Sequence, residues 1–394
     1  MNRILSQVGL ILHGESLRRH SRVAGLWLRV AVLCAGAGTA VAQVPASASA
    51  AASAPASAAI VVPNAPRWMA VPRIAGRITS RELGLVINTA DPYSVEVGEF
   101  YARERHLPPA QVLRVELPVR AALTPAEFEA LAERIEAYFG PSTEALALAW
   151  TLPYAVNCNS ITGALALGYD DALCAHTCAP SRPSPFFNVA SSRPFKDLKM
   201  RPSMMLAARD VEMAKALIRL GVASDHSLGL RGAPPVHAYY VATPDRVRSV
   251  RVGLFPPAGL VARGSIDVHV ESKAALVDPD RVLLYMTGLT RVEHLDSVKW
   301  VPGALADHLT SFGGQLDEKG GQMSVLAWIA SGATASYGTV SEPCSHLQKF
   351  PHPQLLLLNY VQGSSALEAY WRSVAWPQQG VFVGEPLAAP FARQ

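Results

Sequence analysis

The sequence predicts an α/β protein, a three-layer α/β/α arrangement around a mainly parallel sheet with a cysteine-containing irregular insertion. Three observations carry this. Between residues 80 and 152, short apolar runs of strand length alternate with stretches of helical periodicity. The apolar runs end in small polar residues and the helical stretches open on capping residues, the punctuation of successive βα units. The tract 153–202 loses regular patterning and holds three of the five cysteines.

Taken in order, Ser80–Asn88 reads as a buried strand that exits into Asn88-Thr89-Ala90-Asp91-Pro92, a polar turn. A helix over Ser94–His106 follows, with Val95, Val97, Phe100 and Tyr101 at near-helical spacing and Ser94 as its expected cap. Leu107-Pro108-Pro109 stops it. Val112–Leu117 is a second strand, Thr124-Pro125-Ala126-Glu127 opens a second helix, and Ala145–Leu152 is a third strand. This β-α-β-α-β run predicts parallel pairing with right-handed crossovers. Beyond the irregular tract come a helix over 208–220, a strand over 237–242, part of a helix over 245–251, and strands over 266–270 and 281–286. The stretch 302–353 is read as a strand (Ala304–Leu309), a Gly313-Gly314 turn, a helix-like segment (322–330) and a strand of small residues to Val340. Helices over 355–360 and 366–374 and a closing strand over 381–387 complete the chain.

Residues 1–42 read as an export signal: Arg18, Arg19 and Arg22 precede an apolar run from Val23 to Ala42, and Ala40-Val41-Ala42 is a small-x-small cleavage pattern. A retained anchor helix is the alternative, because the run is near the ~20 residues that span a bilayer. Residues 43–66, almost wholly Ala, Ser, Pro and Val, are expected to be a disordered spacer. The folded part is then 67–394, as one domain or as two lobes near 67–240 and 241–394. The expected localisation is exported, periplasmic or extracellular, with no membrane contact beyond the signal.

The leader's five arginines less Glu15 account for the whole formal net charge of +4, so the mature chain is close to neutral. With no basic stripe carrying interleaved aromatics, nucleic acid is not an expected partner. No Walker loop, G-x-S-x-G elbow, H-E-x-x-H, EF-hand loop or G-x-G-x-x-G occurs, and no cofactor or metal is expected. Cys158, Cys174, Cys178 and Cys344 follow the leader. In an exported chain they point to disulfides, most simply among the first three within one loop; zinc held by Cys158, Cys174, His176 and Cys178 is the other reading.

Asn88-Thr89-Ala90-Asp91-Pro92-Tyr93-Ser94, Tyr101-Ala102-Arg103, Ala306-Asp307-His308-Leu309-Thr310-Ser311-Phe312-Gly313-Gly314, Tyr337-Gly338-Thr339-Val340-Ser341-Glu342-Pro343 and Val383-Gly384-Glu385-Pro386-Leu387 together resemble an exported bacterial family, one with no demonstrated activity, associated with exosortase-carrying species. The resemblance implies an envelope setting and a role beside protein sorting or extracellular matrix processing. More distantly, Val282–Gly288, Ala304–Gly314, Met323–Thr339 and Gly384-Glu385-Pro386 are similar in order to the gingipain and caspase-like peptidase fold, which implies a caspase-like or flavodoxin-like core. Thr287-Gly288 stands where that fold carries His-Gly, and Thr310-Ser311 where it carries the nucleophilic cysteine, so the Cys-His dyad is missing.

The candidate site gathers polar residues at strand exits. Ser311, Thr310 and Asp307 are the candidate catalytic groups; Asn88, Asp91, Thr287, Gly313, Gly314 and Glu342 are candidate binding groups. Ser311 could act as nucleophile with the Gly313 and Gly314 amides as oxyanion donors, although alternation along the strand turns His308 away from it. Asp307, Glu342 and Asp91 could instead form a carboxylate cluster for acid/base chemistry or a hard cation. Two functions stay open at this point: an accessory or binding protein with an envelope protein or glycan as partner, and an atypical hydrolase of peptide or glycan.

Overall fold

The computed structural model describes residues 67–393, which belong to one compact unit; the signal and spacer predicted over 1–66 lie outside the described residues. Its strands are β1 (Leu83–Asn88), β2 (Val112–Val115), β3 (Ala122–Leu123), β4 (Ala145–Leu148), β5 (Ala155–Val156), β6 (Asn159–Ser160), β7 (Ser203–Met205), β8 (Val236–Ala242), β9 (Gly259–Val261), β10 (Ile266–Ser272), β11 (Val282–Gly288), β12 (Trp300–Leu309), β13 (Ala335–Thr339) and β14 (Gly380–Gly384). Its helices are α1 (Pro92–Glu104), α2 (Pro125–Tyr138), α3 (Ile161–Leu167), α4 (Asp171–Ala175), α5 (Pro194–Leu198), α6 (Val211–Ser224), α7 (Leu326–Ser331), α8 (Pro353–Val361) and α9 (Ala366–Ser373).

Eleven strands form one sheet in the order β2-β1-β4-β7-β14-β13-β12-β11-β8-β10-β9, to which both halves of the chain contribute. Pairing is parallel from β2 through β1 and β4 to β7, and again from β13 through β12, β11 and β8 to β10. Within this sheet only β13 with β14 and β9 with β10 run antiparallel to one another. The closing strand β14 lies between the halves, with all five of its residues buried. That position explains why Val381, Phe382 and Val383 form a continuous apolar run: a strand buried on both faces cannot alternate.

Local chemistry sets most boundaries. Thr124 and Glu127 form a reciprocal capping box with Pro125 at the first helical position of α2. Asp91, and not Ser94, caps α1 by accepting the Tyr93 amide, while the Ser94 hydroxyl accepts the Asn88 amide and ties the strand exit to the helix. The third strand stops at Leu148, short of Leu152, where the Trp150 indole N–H donates to the Pro153 carbonyl across a turn. Over 245–251 the expected helix is reduced to a single turn, in which the Arg248 and Ser249 amides reach the Asp245 carbonyl, followed by a 3-10 helix at Val250–Leu254. Strand β7 lies beside the irregular tract and escapes sequence reading; three residues are too few to show a period.

A close approach of backbones fixes the centre. A Cβ on Gly314 would lie 2.4 Å from the Gly338 carbonyl oxygen, so Gly314 and Gly338 let the loop after β12 lie directly on β13. The insertion is ordered by its own short elements, β5, β6, α3, α4 and α5, and by hydroxyl bonds to the last strand. Ser160 and Thr162 both donate to the Gly380 carbonyl, at 2.6 and 2.9 Å.

Candidate functional site

A cleft of about 510 Å³ opens where β12 and β13 end. Val247, Val250, Leu309 and Phe350 give it an apolar lining, and Arg248, Thr310, Ser311 and Glu342 bring polar groups to it. Such a mixture, apolar walls with few convergent polar groups, is how small binding sites are built. Strand β12 delivers Thr310 and Ser311 as its first residues beyond the sheet, and the turn after β13 delivers Glu342.

Each polar group is positioned by a neighbour. Thr310 donates to Gln322 Oε1 at 2.5 Å, and Arg248 Nε approaches the Thr310 hydroxyl at 3.4 Å. The Arg248 guanidinium is steadied by Asp245 at 2.9 Å. Glu342 accepts the Cys344 amide at 2.7 Å. Cys344 and Ser345 both hold positive φ, 57° and 54°, a conformation that costs of order 1 kcal/mol or more per non-glycine residue and persists only where surroundings enforce it. The enforcement comes from the Glu342 cap and from a disulfide between Cys344 and Cys178.

The disulfides are Cys158–Cys174 and Cys178–Cys344, so the pairing expected among the first three cysteines holds for one bridge and is corrected for Cys178. With all four thiols bridged, the zinc reading of the cysteine loop falls away. The second bridge spans a sequence separation of 166 residues against 16 for the first. On loop-closure entropy that is about 5 kcal/mol against about 3. Ser341 donates to the Cys158 carbonyl and Lys349 Nζ to the Thr177 carbonyl, each at 2.6 Å, so the insertion is a tie behind the cleft wall.

The remaining sequence candidates do not meet there. Asn88 clamps the loop after β2, accepting the Leu117 amide and donating to its carbonyl. Asp91 lines a separate cleft of about 380 Å³ with Tyr93, Thr151, Arg209 and Glu318, its carboxyl raised above the usual range by burial. The loop leaving β12 lies between the two clefts, contributing Ser311 to one and Leu316 and Glu318 to the other. Thr287 donates to the Val241 carbonyl inside the sheet. The Gly314 amide is bonded to the Thr339 carbonyl at 2.9 Å and so is not free as an oxyanion donor; Gly313 accepts the Val325 amide.

Asp307 lies fully buried on β12, paired with Arg251 at 2.5 Å. The contact is close but not aligned as a directed hydrogen bond, because Arg251 also serves the Thr287 and Pro351 carbonyls. Burial therefore outweighs the attraction and lifts the Asp307 carboxyl to about 6. The carboxylate cluster of Asp307, Glu342 and Asp91 does not form: one is sealed, and the other two line different clefts. His308, one residue on, points to the opposite face, where Nδ1 accepts the Trp328 indole N–H at 2.8 Å and Nε2 donates to the Met323 carbonyl. Burial lowers it to about 4, and with both ring nitrogens engaged on the far face it has no lone pair to offer Ser311.

Sequence reading missed Arg248, placed in an expected helix, and missed a half-exposed group of His237, Asp267 and His269 on β8 and β10. The signal for that group was present: His237 on one predicted strand and Asp267 and His269 two apart on another share a face once the strands pair. The pairing of β8 with β10 was not readable. Neither a scan of protein-family models nor a search of curated proteins finds a match to this chain.

Proposed function

We propose that this is an exported binding or accessory protein of the cell envelope, built on a peptidase-like scaffold without the Cys-His dyad, which receives a peptide or glycan segment in the cleft of Arg248, Thr310, Ser311 and Glu342. The observation that carries this reading is the lining itself. It offers a guanidinium, two hydroxyls and a carboxylate beside apolar side chains, and among the described residues it contains no imidazole and no free thiol. Arg248 suits a carboxylate or sugar hydroxyls, Glu342 a cation or hydroxyl, and Phe350 the flat face of a sugar or a side chain. Two disulfides support an oxidising compartment, as the leader does.

The test is retention on peptide and glycan arrays, comparing the wild type with Arg248→Ala and Glu342→Ala. A ligand class held by the wild type and lost at least about tenfold in both variants supports the reading, since a charge-assisted hydrogen bond is worth about 1.5–3 kcal/mol. Equal retention by all three proteins would remove the cleft from the account. The alternative, an atypical hydrolase using Ser311, is favoured by one observation: Ser311 and Glu342 line the same cleft.

A further inference from the structure

We infer that His237, Asp267 and His269 form a binding site for a first-row divalent metal, zinc in the first instance, on the open face of the sheet near its β8/β10 edge. In the parallel register Asp267 lies opposite His237, and His269 lies opposite Tyr239, so alternation puts all four side chains on one face. His237 Nδ1 and His269 Nε2 face each other at 2.9 Å, and Asp267 Oδ2 is 3.5 Å from the same His269 nitrogen. The three ligand atoms lie within 4.8 Å of one another. Zinc–nitrogen distances of about 2.0–2.1 Å in a tetrahedron require ligand atoms roughly 3.3 Å apart, so small side-chain rotations suffice.

The surroundings favour coordination over a simple hydrogen bond. Tyr239 stacks on the His269 ring at 4.6 Å with an interplanar angle of 16°, which holds that imidazole in its present plane. Arg281, a cation whose charge acts on His237, is turned to the Pro234 and Pro235 carbonyls at 3.1 Å and does not plug the group. All three ligands are half-exposed, so a metal ion has access and a fourth position stays open to water. Two imidazoles and one carboxylate with an open position are the donor set of many catalytic zinc centres, and they would also clamp β10 to β8 near the edge of the sheet. This site is independent of the cleft at the ends of β12 and β13.

Titration calorimetry of zinc chloride into the full chain, carrying no histidine tag, tests it. One saturable site is expected, weakened at least about 100-fold in His237→Ala/His269→Ala, since even outer-shell partners are worth 10–100-fold. The His176→Ala variant, altered in the cysteine loop, should bind as the wild type does. Asp267→Asn keeps both imidazoles and should weaken binding at least about tenfold, which covers the case of a double variant that folds poorly. Absence of a saturable site, or binding by the double variant or by Asp267→Asn that matches the wild type, overturns the inference. So does loss of binding in His176→Ala.

Discussion

Two places on the same sheet carry the same residue types and put them to opposite uses. At the centre, Asp307 and His308 are successive residues of β12 and both are sealed, one against Arg251 and the other between Trp328 and Met323. Toward the edge, His237 on β8 and Asp267 and His269 on β10 are half-exposed and meet chiefly one another. The difference is cover. Where helices and loops close over both faces, polar groups must be satisfied by the protein itself; where one face thins out, they stay available to a ligand. A histidine or aspartate in a strand therefore means nothing until its neighbours on that face are known.

The largest effect should come from breaking the central pair. Asp307→Ala leaves the Arg251 guanidinium buried without its counter-charge and should cost about 3–5 kcal/mol in urea unfolding. A loss under about 1 kcal/mol would mean that water reaches this pair and that the centre is not sealed. Next in size is zinc. At a concentration 100-fold above its dissociation constant it should stabilise the wild type by about 2.7 kcal/mol and leave His237→Ala/His269→Ala unchanged, read as the shift in thermal midpoint.

A smaller effect separates the two central neighbours by sign. Burial raises Asp307 from 3.8 to about 6, so its stabilising contribution is complete below about pH 4 and is lost as pH rises through 6. Burial lowers His308 from 6.5 to about 4, so its contribution is complete above about pH 6.5 and is lost as pH falls through 4. The two slopes oppose each other between pH 4 and 6.5, each limited to about 1.4 kcal/mol per pH unit. Relative to the wild type, His308→Gln should therefore tilt stability downward as pH rises across this window, and Asp307→Asn should tilt it upward. Variants whose stability–pH curves run parallel to the wild type would contradict both burial arguments. The smallest effect belongs to the open face: without metal, His269→Ala loses its stack on Tyr239 and its bond to His237 and should cost about 1 kcal/mol.

The contrast also explains what the sequence could tell. Elements with local signatures were legible: the Thr124–Glu127 box, the buried runs of β1 and β11, and the Gly313-Gly314 turn after β12. The α/β class followed from them. Strand order was not legible, because β14 enters between β7 and β13 from the far end of the chain and β7 is three residues long. Of the site candidates, Thr310, Ser311 and Glu342 reach one cleft because all three leave neighbouring strands at the same end. Asp91, Asn88 and Thr287 share the strand-exit pattern and are absorbed by a helix cap, a loop clamp and a sheet carbonyl. Polarity at a strand end is thus necessary for this site and far from sufficient, since a cap uses the same side chains. The Cys178–Cys344 bridge was equally hidden, its partners being brought together only by the docking of the insertion on the cleft wall.

The most direct test of the account is to incubate a ligand retained on the arrays with the wild type, with Arg248→Ala and with Ser311→Ala, and to follow both bound and free ligand by mass spectrometry. The account predicts saturable binding that Arg248→Ala weakens, with the ligand recovered intact from every protein. Products that appear with the wild type and vanish with Ser311→Ala would contradict it and make the cleft the active site of a hydrolase.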